Sequence, residues 1–199
     1  MNSERIALET QHLKLNSFNN EDAKHVALLA GDKRIVEMTT SIPLPYTTEM
    51  AADWIKTHST QDKHIFAIRH KKLNALIGCI NIDFAAQHSR GYVGYWIGHA
   101  YWNKGYASEA LKKIIDYGFS FSHINKIWAA YKTYNLASGR VMEKAGMTHE
   151  GVMRQHDRDR DGQYFDLAIA SILKPEYVNQ QSKLNNMRED IYSNATYAT

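Results

Sequence analysis

The apolar positions along the chain change period repeatedly, and each change marks an element. Leu13 and Leu15 in LKLNSF alternate with polar residues as a half-buried strand does, and Asn20 through Ala30 then carries apolar residues at helical spacing behind an Asn or Asp cap. After the Pro-containing SIPLPYT, Thr47 or Thr48 can cap a second helix bearing Met50, Ala51, Trp54 and Ile55. HIFAIRH and ALIGCINIDF read as two strands joined by the turn-like KKLN, and GYVGYWIG as a third. A long helix is expected from Gly105 to about Phe121, with Ala107, Ala110, Leu111, Ile114, Ile115 and Gly118 on one face. KIWAAYK is another strand, Asn135 to Ala145 a short helix stopped by Gly146, and GVMRQHD and YFDLAIASIL the last two strands. The order β-α-α-β-β-β-α-β-α-β-β gives seven strands in a mixed sheet with helices covering its faces, an α/β chain without the strict alternation of a doubly wound fold.

Composition narrows the class. A chain of 199 residues, with no internal repeat and only three prolines, is expected to form one domain over residues 1–178. Residues 179–199 are polar and Asn-rich and read as an extension appended to that domain. The chain is 44% hydrophobic and 23% charged, and no apolar run approaches the roughly 20 residues of a membrane span, so neither membrane insertion nor disorder is expected. MNSERIALET lacks the basic-then-apolar pattern of a signal peptide, and the single Cys79 lies in an apolar run, which points to the cytoplasm. The net charge of +3 is mixed in sign and gives no nucleic-acid footprint.

Gly105, in YWNKGYASEAL, stands where a good helix former would be expected. In the first turn of a helix the backbone N–H groups lack intrahelical acceptors and the dipole adds positive charge, so an anion can sit there if no Cβ blocks it. Asn103, Lys104, Gly105, Tyr106, Ala107 and Ser108 combine small residues, a hydroxyl and a cation in a strand, short loop, helix arrangement suited to a pyrophosphate. Neither G-x-x-x-x-G-K-[ST] nor G-x-G-x-x-G is present, which argues against a nucleotide hydrolase or a dinucleotide binder. Downstream, Asn135 can cap a short helix with Ser138 three residues on.

These segments together carry a family resemblance. YWNKGYASEAL resembles the acyl-CoA-binding motif A of the GNAT superfamily of N-acetyltransferases, and NLASGRVMEKAGM resembles its motif B, one helix and one strand later. GYVGYWIGHAYWNKGYASEA is similar in particular to the branch containing the ribosomal-protein N-terminal alanine and serine acetyltransferases. The resemblance covers most of residues 8 to 175. The family pattern is Arg or Gln, two residues, Gly, one residue, then Gly or Ala; Gly105 and Ala107 match it, while Trp102 departs at the first position.

The resemblance implies a mostly antiparallel sheet with helices on both faces, and acetyl-CoA as cosubstrate. The strand of Tyr95, Trp96 and Ile97 would splay from that of Ala129 to Lys132 to admit the pantetheine arm, which unpaired backbone groups near Ile97 would bond. Asn135 would also bond that arm, and Ser138 would donate to the leaving sulfur, with Tyr134 in reserve. The implied chemistry is direct attack of a primary amine, without an acyl-enzyme. For the base, Asp157 matches the branch more closely and His156 has the nearer intrinsic pKa; strand alternation would let one of them face the amine, and a water chain is the third route. Cys79 reads as a packed core thiol, and DRDRDG as a solvated turn with no ligand set for a metal. The acceptor is expected to be a protein or peptide N-terminus, with a small amine such as an antibiotic, polyamine or amino acid, or a non-catalytic acyl-CoA-binding module, as alternatives. Relatives imply a monomer or a homodimer. Residues 22–58 and the loop 157–163 are expected to select the acceptor.

Overall fold

Leu13 and Leu15 are fully buried while Lys14 between them is exposed, which is the alternation of a strand with one face on a core. In a computed structural model that describes residues 6–57 and 63–196, with the backbone alone at residues 63 and 188–196, their strand is preceded by one more. In chain order the elements are β1 (Leu8–Glu9), β2 (Leu13–Asn16), α1 (Ala23–Ala30), α2 (Lys33–Val36), α3 (Thr48–Lys56), β3 (Lys63–His70), β4 (Ala75–Ala85) and β5 (Arg90–Ile97). They continue with α4 (Tyr106–Phe119), β6 (Lys126–Lys132), α5 (Leu136–Lys144), β7 (Thr148–Arg158), β8 (Tyr164–Leu173) and α6 (Lys174–Thr196). The end of the region 22–58 and the last three residues of the extension lie outside the described residues.

The sheet has eight strands in the order β1-β2-β3-β4-β5-β6-β8-β7. The strand beyond the expected seven is the two-residue β1, too short to show a period, whose Leu8 stands opposite Leu15. Helix α2, four residues behind an Asp32 cap, is likewise too short to be read. Residues 179–196 lie within α6, which begins at Lys174 and docks at its start, where Tyr177 stacks 4.9 Å from Phe119 and donates to Asp116 at 3.0 Å.

Every neighbouring pair is antiparallel except β5 and β6, which run parallel. One face of the sheet packs on α4 through Ile80, Ile82, Val93, Leu111, Ile114 and Ile127, with Gly118 allowing close approach, since a Cβ there would meet Ile127 Cδ1 at 2.6 Å. The other face packs on α1 and α3 through Val26, Ala51, Ile55, Ala67 and Leu76. The start of α1 is tied to β3 by a bidentate pair, Arg69 Nη1 and Nη2 donating to Asp22 at 3.0 and 2.7 Å, while Arg69 Nε donates to Asn16.

Candidate active site

The site begins where the parallel pair ends. β5 and β6 are in register only from Arg90 opposite Lys126 to Tyr92 opposite Trp128, yet β5 continues to Ile97 and β6 to Lys132. The two strands therefore splay, and a cavity of about 1270 Å³ occupies the gap and opens along both faces. Gly98 N–H reaches the Ile77 carbonyl at 2.8 Å, which makes Ile97 and Gly78 a non-hydrogen-bonded antiparallel pair. The backbone groups of Ile97, and of Tyr95 two residues before it, consequently point away from β4 and into the gap. One of them is taken: the Trp102 indole donates to the Ile97 carbonyl at 2.6 Å. That bond occupies one of the backbone groups expected to be free around Ile97, and gives Trp102, the departure from the motif, a structural role.

Gly105 is the N-cap of α4, so the helix starts one residue later than expected. It has φ 83°, a left-handed conformation that disfavours any residue with a Cβ, and a Cβ built there would meet nothing within 4 Å. The residue thus meets a backbone requirement and leaves open space in front of the helix. No side chain caps α4, and the first N–H of the helix to find a chain acceptor is that of Glu109, on the Gly105 carbonyl at 3.0 Å. The N–H groups ahead of it can hold an anionic ligand. On the far side of the helix start, the Glu109 carboxylate accepts from Thr10 Oγ1 at 2.5 Å and from His12 N at 2.8 Å, and contacts His12 Nδ1 at 2.9 Å. Burial works to raise the Glu109 pKa, but these bonds together hold it below the ordinary value.

Eleven of the twelve residues expected in the site line this cavity: Trp96, Ile97, Asn103, Gly105, Tyr106, Ala107, Ser108, Asn135, Ser138, His156 and Asp157. Lys104 does not; its ammonium folds back onto the Ala100 carbonyl at 3.1 Å and over the Tyr101 ring at 5.7 Å. Trp96 lines the cavity from the sheet face under α1 and α3, opposite α4. Cationic lining on the α4 side comes instead from Arg140 and Lys144 of α5, which sequence reading did not single out.

Asn135 caps α5, its Oδ1 accepting from Ser138 N at 3.2 Å, which leaves its amide donors available. Ser138 Oγ lies 2.7 Å from the hydroxyl of Tyr95, a residue of β5 that sequence reading placed on the strand without a role. Burial raises the Tyr95 pKa strongly, so the phenol keeps its proton. The alternation of Val93, Tyr95 and Ile97 toward α4 was the available signal. Tyr134 is exposed and bonds the Glu37 carbonyl at 3.5 Å.

Strand alternation does not separate His156 from Asp157. Between the pairs Met153 with Leu167 and Asp157 with Phe165, three residues of β7 stand against Asp166 alone. This bulge is held by Gln155, whose φ is 48° and whose N–H donates to Asp166 at 2.7 Å. Both His156 and Asp157 reach the cavity as a result, and both are solvent-exposed. Cys79 is buried in the cavity wall, and burial pushes its pKa up, which keeps it a thiol. The DRDRDG segment forms a hairpin turn around the Asp159 carboxylate, which accepts from the N–H groups of Asp161 and Gln163 at 3.0 and 2.8 Å. Arg160 donates from this turn to the Ile42 carbonyl, joining the two segments expected to select the acceptor.

A sheet opened at its one parallel pair, beneath an uncapped helix start, defines a GNAT-type acetyltransferase. The model of the acetyltransferase (GNAT) domain matches residues 12–148, and the chain belongs to that family of N-acetyltransferases. It is 33% identical over 174 residues to the uncharacterized N-acetyltransferase YoaA of Bacillus subtilis, covering 84% of this chain and 97% of that one. A more distant similarity, 33% over 86 residues and 43% of this chain and 44% of the other, is to the [ribosomal protein uS5]-alanine N-acetyltransferase of Escherichia coli. Among solved structures, the microcin C7 self-immunity acetyltransferase MccE, in complex with acetyl-CoA and AMP, superposes with a TM-score of 0.74 at 20% identity, covering 82% of this chain and 93% of that one.

Proposed function

We propose that the chain transfers the acetyl group of acetyl-CoA to the α-amine of a peptide or protein N-terminus. The observation that carries the donor half is the splayed β5/β6 gap leading to the uncapped start of α4. The pyrophosphate fits the N–H groups after Gly105, with Arg140 and Lys144 nearby for phosphate charge, and the pantetheine arm fits the gap between Ile97 and Asn135. Acetyl-CoA supplies a thioester whose C–S bond breaks as the amine nitrogen forms the C–N bond. With Tyr95 as donor in its 2.7 Å bond to Ser138 Oγ, the Ser138 proton turns outward into the cavity, where it can pass to the departing sulfur. The proton lost by the amine goes to Asp157, or to solvent beside it.

An N-terminal acceptor is supported by amine acidity. An α-amine, with a pKa near 8, is roughly a tenth neutral at pH 7, whereas an alkylamine near 10.4 is less than about a thousandth neutral. The α-amine asks least of an exposed base. The similarity to the uS5-alanine enzyme agrees with this reading. The test is thiol release from acetyl-CoA over a panel of N-terminally free peptides, spermidine-type polyamines and amino acids. Faster turnover of peptides is expected; turnover of polyamines alone overturns the acceptor, and binding of acetyl-CoA without turnover of any amine overturns the transferase reading in favour of a sensor module.

A further inference from the structure

Lys132 closes β6 with its side chain in the cavity wall, on the sheet face opposite α4, and only 4% of it is exposed. Its ammonium donates to the Glu37 carbonyl at 2.9 Å and lies over the rings of Phe165 at 4.4 Å and Tyr134 at 5.8 Å. Glu37 turns its own carboxylate to Lys33, and among the described residues no carboxylate pairs with Lys132. An ammonium has three donors, and one neutral acceptor with two aromatic faces leaves two of them unanswered in a place nearly closed to solvent. Such a cation is costly to bury without a counter-charge, and the counter-charge can come from a ligand.

The sheet fixes where that ligand lies. Lys132 stands opposite Leu167, and Leu167 opposite Met153; Asp157 stands opposite Phe165, one same-face step along β8. Lys132 and Asp157 therefore rise from one face of the sheet, two strands and one step apart, roughly 12 Å between their Cα atoms from standard strand spacings. A carboxylate and an ammonium on one face of the sheet across that span fit a molecule carrying an amine and an anion a few bonds apart.

We infer that Lys132 forms an anion subsite, and that the acceptor carries a carboxylate close to the amine that is acetylated. In a peptide this is an Asp or Glu side chain at the first or second position; in a free amino acid it is the side-chain or α-carboxylate. The inference rests on the transfer to an amine at Asp157 proposed above, and it deepens that reading by giving the acceptor a charge.

The test compares C-terminally amidated hexapeptides beginning Ala-Glu with Ala-Gln, and Asp-Ala with Asn-Ala, alongside free aspartate and glutamate. The parent protein is expected to show at least a tenfold higher kcat/KM for each acidic peptide than for its amide partner; Lys132→Met should bring the ratio to near one, and Lys132→Arg should restore it. Equal use of acid and amide by the parent, or a preference that survives in a folded Lys132→Met, overturns the subsite. Turnover of free aspartate and glutamate with none of the peptides assigns the carboxylate to a small acceptor. Calorimetry of the N-acetylated Ala-Glu and Ala-Gln peptides on the CoA-loaded protein separates this inference from the transfer reading. Tighter binding of the acidic product, lost in Lys132→Met, keeps the subsite even if no amine is turned over; equal or undetectable binding of both, without acidic preference in turnover, ends it.

Discussion

The hydroxyl of Tyr95 lies 2.7 Å from Oγ of Ser138, which joins the splayed end of β5 to the first turn of α5 across the cavity floor. The two groups sit between the strand whose backbone faces the gap and the helix whose cap can hold the pantetheine arm. Burial keeps the phenol protonated; either hydroxyl can donate in this bond, and with Tyr95 as donor the serine proton is left for the cavity.

Ser138→Ala is accordingly expected to lower the single-turnover rate about tenfold or more while acetyl-CoA affinity stays within about twofold, since the interaction strengthens only as the thiolate departs. Tyr95→Phe should lower the same rate by a smaller factor, and adding it to Ser138→Ala should cost little more, because both act through one proton. Rapid-quench rates equal to the parent for Ser138→Ala remove the serine from the chemistry and pass the role to Tyr134 or to water.

At Gly105 two effects must be told apart, because φ 83° alone penalises a Cβ whether or not a ligand is present. Asparagine tolerates the left-handed region better than other residues with a side chain. Gly105→Asn should therefore fold with a Tm close to the parent and yet weaken acetyl-CoA binding at least tenfold, about 1.4 kcal/mol, by placing bulk in the open space before α4. Calorimetric titration with an unchanged dissociation constant sinks the pyrophosphate site at this helix start.

The long elements were legible because their apolar periods are strong: Leu111, Ile114 and Ile115 fix the buried face of α4, and Leu13 with Leu15 that of β2. The helix-start motif was legible because small residues in sequence become open space in three dimensions. What escaped was set by contacts between distant segments. The Trp102 bond to the Ile97 carbonyl, the Tyr95 bond to Ser138 and the Lys132 bond to Glu37 have no periodic signature in the residues that make them. The β7 bulge escaped for a related reason: GVMRQHD reads as an even strand, and only the Gln155 bond to Asp166 of β8 shows where it breaks.

That bulge shapes the test of the base. Asp157 rejoins the ladder opposite Phe165 and so shares the face of Met153 and Lys132, whereas His156 lies inside the irregular stretch. Asp157→Asn should lower kcat/KM about tenfold or more and displace the acid limb of its pH profile, while His156→Gln stays within about twofold. The reverse outcome gives the role to His156. Parent-like profiles for both single variants and for the double variant leave proton removal to water.

The last prediction concerns the support of the site. Glu109 anchors the start of α4 to the segment between β1 and β2 through Thr10 and His12, and its folded-state pKa is lowered from the ordinary 4.5. A carboxylate with a depressed pKa binds fewer protons folded than unfolded, so its contribution to stability is present above the unfolded value and is lost as pH falls through the folded one. Glu109→Gln removes that contribution. Its Tm should lie below the parent at pH 7, and the gap should narrow as pH is taken from about 5 to about 3, where the parent carboxylate is protonated as well. Because the anchor lies on the side of α4 away from the cavity, acetyl-CoA affinity at pH 7 should change less than in Gly105→Asn. A Tm gap that stays constant across this pH range would show that the ionised carboxylate contributes nothing beyond its shape, and would leave α4 held by its apolar face alone.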